Sequence, residues 1–181
     1  DFRELLIRWF QYGTFCPLFR LHGYRQPTGE GDGGDTGNFD FDTCGPNEVW
    51  SFGEESYGIL TEYLQIRERL RPYIMEQMRA AHETGAPPMR PLFYDFPEDT
   101  QAWTVEDAFM LGPELLVAPI LYAGARSRQV YLPAGAKWRD AHTGRIYEGG
   151  RRVCCEAPLA VIPLFLRDGA DLPVIAGSDE E

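Results

Sequence analysis

The chain is poor in cysteine, short of basic residues relative to acidic ones, and without a long apolar run. Only four of its 181 residues are cysteine. They are Cys16, Cys44, Cys154 and Cys155, and none stands in a C-x-x-C pair. That spacing argues against a zinc site and against a disulfide framework. Free thiols fit a reducing compartment, so a cytoplasmic location is expected. The 17 Lys and Arg residues face 28 Asp and Glu, for a net charge of −11. A surface of that sign excludes nucleic acid and anionic membrane as expected partners. No apolar segment reaches the ~20 residues that cross a bilayer. No basic-then-apolar leader opens the chain. Residues 1–7 start directly inside a helical pattern with no initiator Met, so a piece of a longer chain is expected.

The composition that remains is globular, 44% hydrophobic and 25% charged, enough for one domain or two small ones. The 13% of aromatic residues suits ring-shaped ligands, although rings taken singly are mostly core. Residues 1–12 read as a helix. Asp1 and Glu4 have capping-box spacing, Leu5, Trp9 and Tyr12 recur at helical intervals, and Gly13 supplies a stop. Residues 15–21 are apolar except for Arg20 and suit a parallel strand covered on both faces. A loop of about 30 residues follows. Its acidic positions do not match the ligand pattern of an EF-hand, and no metal is expected.

Ser51 and Glu54 form a second capping-box pattern. Apolar residues from Ile59 through Tyr63, Ile66, Leu70 and Ile74 then mark one face of a helix over 54–81. Pro72 is expected to kink or divide it, and Gly85 with Pro87-Pro88 to end it. Residues 89–94 read as a buried strand ending at Asp95. Thr104 and Asp107 suggest a short helical turn closed by Gly112. Beyond Pro113 the texture changes. Strand-like runs at 115–118, 129–132, 137–140, 145–147, 151–155 and 162–167 alternate with Gly-rich turns. This is the rhythm of an antiparallel sandwich. The division expected is 1–112 as α/β and 113–181 as all-β.

Several strings resemble glycoside hydrolase family 31, the α-glucosidases, α-xylosidases and relatives. They begin with Arg8-Trp9-Phe10-Gln11-Tyr12-Gly13-Thr14-Phe15-Cys16-Pro17 and the following Leu18-Phe19-Arg20-Leu21-His22-Gly23. Arg69-Leu70-Arg71-Pro72-Tyr73, Met89-Arg90-Pro91-Leu92-Phe93, Phe109-Met110-Leu111-Gly112-Pro113 and Leu164-Phe165-Leu166-Arg167-Asp168-Gly169 follow in family order. The resemblance implies the C-terminal portion of a (β/α)8 TIM barrel, strands seven and eight with their helices, followed by a proximal β-sandwich domain.

The resemblance also implies a retaining mechanism with two catalytic aspartates. Neither motif occurs in this chain, so no catalytic residue is assigned to it, and Asp95 and Asp107 are read as structural. His22 carries over as the substrate-binding histidine. A neutral imidazole offers one donor and one acceptor to adjacent sugar hydroxyls. Arg20 shares its face by strand alternation and is the second candidate, as a buttress of the site or the partner of a buried acid. His82 and His142 are expected to be structural, and Trp50 and Phe52 to pack as a staple. The implied partner is an oligosaccharide or α-glycoside substrate, with a homo-oligomer possible in principle and no cofactor. The alternatives are a transglycosidase or α-glucan lyase of the same family, or a non-catalytic carbohydrate-binding or structural module.

Overall fold

The computed structural model describes residues 2–21 and 47–175. Helix α1 covers Phe2–Thr14 and helix α2 covers Glu54–Thr84, preceded by a 3-10 turn at Val49–Phe52. A short strand β1 (Met89–Arg90) and a one-turn helix α3 (Leu92–Asp95) follow. Then come β2 (Phe109–Leu111), β3 (Leu115–Val117), β4 (Ser127–Leu132) and β5 (Lys137–Asp140). The last strands are β6 (Ile146–Glu148), β7 (Arg151–Glu156) and β8 (Leu164–Arg167).

Six strands form one sheet in the order β1-β2-β3-β8-β5-β6, and β4 pairs with β7 in a second sheet. Every pairing is antiparallel. Side chains alternate across a strand, so the six-stranded sheet has two apolar faces. Phe109, Leu111, Leu115, Val117, Leu164 and Leu166 face the helices, in one core with Ile59, Tyr63, Ile66 and Leu70 of α2. Met110, Leu116, Phe165 and Trp138 face the other way, in a second core with Val130 and Leu132 of β4. The layers therefore run helices, large sheet, small sheet. Coverage on both sides explains why β2, β3 and most of β8 are buried at consecutive residues.

The expected strands after Pro113 are all present, with ends shifted by one or two residues. The all-β character begins earlier than the texture suggests. Gly112 lies in the turn that joins β2 to β3, and β1 adds residues 89 and 90 to the same sheet. The helical turn expected near Thr104 is a 3-10 turn at Ala102–Thr104. Asp107 does not cap it, because its carboxylate pairs with Arg128 at 2.6 Å.

The expected capping box at Ser51 is replaced by another contact, and the one at Asp1 falls partly outside the described residues. Asp1 lies outside the described residues, and Glu4 reaches across the chain to the Gly124 N–H and to Arg126. Ser51 sits in the 3-10 turn and donates to Glu48 at 3.1 Å, while Gly53 precedes α2 without a side-chain cap. Helix α1 continues one residue past Gly13, whose missing Cβ leaves room for the Phe19 ring. Its buried residues are Ile7, Arg8, Phe10, Gln11 and Thr14, while Leu5 and Trp9 stay exposed. Helix α2 runs unbroken through Pro72 and ends on left-handed Gly85, whose N–H bonds to Ala81 O at 3.0 Å. The buried face of α2 is the expected one.

The two segments expected as barrel strands take other forms. At residues 89–94 the ladder lasts two residues. Pro91 then removes a backbone donor, and its φ of −65° leads into α3. Residues 15–18 form turns and bends. No described strand lies beside them, and their carbonyls are taken by a side chain instead.

Candidate functional site

The segment after α1 is held from α2. The Arg67 guanidinium donates to Thr14 O at 2.8 Å, to Cys16 O, and to Pro17 O at 2.9 Å. Its carbon lies 5.8 Å from the centre of the Phe19 ring. That ring packs edge-on against Phe10 at 4.7 Å. Phe15 is fully buried, and its N–H bonds back to Tyr12 O at 3.1 Å. Burial depresses the Arg67 pKa, but an arginine stays charged in any protein environment. Burial also pushes the Cys16 thiol up, against the pull of its bond to Tyr12 and the nearby Arg67. A thiol so placed is poorly suited to nucleophilic work.

Arg20 emerges from this clamped turn as an exposed side chain. Among the described residues no carboxylate pairs with it. His22, Cys44 and the long polar loop lie outside the described residues. Arg20 thus follows directly on Phe19, whose ring lies beside the Arg67 guanidinium.

Several of the other singled-out residues have structural partners. Asp95 bonds Arg90 at 3.0 Å. Burial pushes its carboxyl above the ordinary range, and Arg90 offsets only part of that. His142 bonds Ile162 O through Nε2 at 2.8 Å, and its N–H bonds Asp140. His82 is exposed in the last turn of α2. Phe52 is buried against Phe2, with ring centres 6.2 Å apart, whereas Trp50 is exposed. Among the described residues no group of three His, Cys, Asp or Glu side chains could hold a metal. No described helix is long and apolar enough to cross a membrane.

A cavity of about 680 Å³ lies between α1 and the β1–β2 region, lined by Trp9, Tyr12, Arg90, Phe109 and Leu121 among others. Arg8 also lines it; buried and without an ion pair among the described residues, it bonds carbonyls instead: Val161 O at 2.8 Å and Ala157 O at 2.9 Å. Gln11 adds a bond to Leu159 O at 2.8 Å. Sequence reasoning missed Arg8, Gln11 and Arg67 as organising residues. The available signal was a polar residue set beside the apolar stripe of a helix. It identifies a buried polar group, not what that group holds.

The described residues thus form two helices packed on an antiparallel sandwich, with the segment after α1 held by Arg67. Residues 1–77 match the family sequence model described as "Glycosyl hydrolases family 31 TIM-barrel domain". Residues 85–171 match "Glycosyl hydrolase family 31 C-terminal domain". The chain belongs to glycoside hydrolase family 31. A crystal structure of a GH31 α-xylosidase from a soil metagenome, complexed with xylose, is 52% identical with a TM-score of 0.82. The match covers 93% of this chain and 25% of that one. An α-xylosidase of Saccharolobus solfataricus is 34% identical over 96% of this chain and 21% of its own length. α-Glucosidase 2 of Bacillus thermoamyloliquefaciens is 35% identical over 92% of this chain and 19% of its own length. The chain thus spans about a fifth of the length of these curated relatives.

Proposed function

We propose that this chain is the rear of the catalytic barrel and the proximal β-sandwich domain of a retaining α-glycosidase acting on α-xylosides or α-glucosides. The observation that carries the reading is the 52% identity with the xylose-bound α-xylosidase over 93% of the chain. It favours an α-xyloside as substrate, while the α-glucosidase relative keeps α-glucosides in play.

In this reading the chain binds and shapes, and the reaction is carried by carboxylates elsewhere in the protein. Retention needs a nucleophile and an acid/base about 5–5.5 Å apart. His22 grips adjacent hydroxyls of the sugar at the cleaved position, and Arg20 buttresses the same wall of the pocket. Bonds to ring hydroxyls tighten as the sugar flattens toward an oxocarbenium-like state, so their loss lowers kcat more than it raises KM. The free thiols Cys16, Cys154 and Cys155 support a reducing, cytoplasmic setting.

The test is the full-length protein assayed on aryl α-xyloside and aryl α-glucoside, with His22→Ala beside it. The expected outcome is hydrolysis with retention, the α-xyloside preferred, and a loss of about 100-fold or more in kcat/KM for His22→Ala. Wild-type kinetics in the variant would overturn the assignment. Transfer to an acceptor sugar in place of water, or elimination without water, would replace hydrolase by transglycosidase or lyase.

A further inference from the structure

We infer that the open face of α1, formed by Leu5, Trp9 and Tyr12, is the surface on which an upstream strand of the same polypeptide's barrel packs. The inference rests on the reading of the chain as the rear of that barrel and adds to it the surface through which the barrel closes.

Helix α1 carries three stripes. Ile7 and Phe10 lie in the core shared with α2. Glu4, Arg8 and Gln11 are bonded to loops of the sandwich. Glu4 takes Arg126 and the Gly124 N–H, Arg8 the Ala157 and Val161 carbonyls, and Gln11 the Leu159 carbonyl. The third stripe is Leu5, Trp9 and Tyr12, spaced at i, i+4 and i+7 on one side of the helix. Here Leu5 is 53% and Trp9 64% exposed. A helix apolar on two sides, with its polar side already engaged, has the pattern of one buried between layers.

The open stripe continues into the cavity between α1 and the β1–β2 region. The Tyr12 ring meets Trp9 edge-on at 5.9 Å and Phe109 edge-on at 5.8 Å, so aromatic contacts join α1 to β2 along the cavity lining. The occupant follows from what the barrel part of the chain lacks. Residues 1–77 match a TIM-barrel family model, yet no strand occurs among the described ones. In such a barrel the helices ring a layer of parallel strands and pack on it. Those strands are covered on both faces and rich in Val, Ile and Leu, which suits an apolar groove. A second copy of the chain would bring no barrel strand among its described residues either. The chain spans about a fifth of its curated relatives' length, and the greater part of the barrel belongs to the remainder.

The experiment uses the full-length protein in two forms, Leu5→Cys and a variant with photoreactive p-benzoylphenylalanine in place of Trp9. Maleimide labelling of the new thiol, followed peptide by peptide, is expected to be at least about 100-fold slower in the native protein than in denaturant. The protection is expected to hold across a dilution of about 100-fold, since an intramolecular contact does not depend on concentration. Illumination of the second variant is expected to cross-link residue 9 to a peptide upstream of residue 1 within the same molecule. Labelling at the denatured rate would show a face open to solvent and overturn the inference. Protection lost on dilution, or a cross-link between two molecules, would show a second copy in the groove and overturn it as well. If neither variant folds, hydroxyl-radical oxidation of Trp9 in the wild-type protein reads the same face, and oxidation at the unfolded rate overturns the inference. A protected Trp9 in a protein that hydrolyses no α-glycoside would support this surface and sink the proposed activity alone.

Discussion

The Tyr63 hydroxyl accepts the Ile162 N–H at 3.2 Å and donates to Ala160 O at 2.9 Å. One side chain in the middle of α2 thus satisfies two backbone groups 97 and 99 residues away. Burial pushes this phenol well above its ordinary pKa, so it stays a donor throughout the working range of pH. Tyr63→Phe keeps the ring and strands both backbone groups. The expected cost is about 1–3 kcal/mol, as a buried donor left without a partner requires. A thermal midpoint unchanged from wild type would show that water replaces the hydroxyl at no cost.

Asp99 gives the protein an acid-side dependence. Burial pushes its carboxyl up, but bonds from the Ala134 N–H at 2.8 Å, the Tyr131 hydroxyl and the Gln101 N–H outweigh it and hold the pKa below the ordinary value. A depressed carboxylate stabilises fully above its unfolded pKa, and that contribution is lost as pH falls through the lower folded value. The Tyr131 hydroxyl, buried and bonded to Asp99, is pushed up to about 12 and stays protonated across that window. Asp99→Asn should therefore lower the midpoint at neutral pH and flatten its decline below about pH 4. Parallel curves for the two proteins would mean that another carboxylate governs the acid side.

Gly112 cannot carry a side chain. Its φ is +59°, and a Cβ built there would lie 2.1 Å from the Tyr73 hydroxyl. That hydroxyl bonds Leu111 O at 3.0 Å and accepts the Glu114 N–H at 3.3 Å, so it cannot withdraw without breaking the β2–β3 turn. Gly124 has a φ of +74° but open space around it. Gly124→Ala should cost about 1–2 kcal/mol, the left-handed penalty alone. Gly112→Ala should cost clearly more, read as the larger drop in unfolding midpoint. Equal drops would mean that Tyr73 moves freely.

How far the sequence could be read depended on how local the causes were. The β5 range was legible to the residue because alternation and the flanking glycines are local signals. The buried face of α2 was legible for the same reason. Residues 15–21 read as a strand because they are apolar, yet a strand needs a ladder partner, and here Arg67 takes the carbonyls from 50 or more residues away. The capping box expected at Ser51 failed similarly, since Ser51 bonds Glu48 within the 3-10 turn instead of capping α2. At the candidate site the Arg-x-His-Gly string opens with Arg20, which stands exposed, and its His22 and Gly23 lie outside the described residues. Nothing in the string announced the clamp behind it.

The six-stranded sheet stops at β1 on one side and β6 on the other, and these are strands of two and three residues. Each offers only a few free backbone groups to an incoming chain. The outer strand β6 also carries Glu148, paired with Lys137 on β5 at 3.3 Å. Charges and brevity at an edge are how sheets avoid pairing with their neighbours. Among the described residues the large sheet thus presents only short edges to an incoming chain, and the longer free edges belong to β4 and β7 of the small sheet.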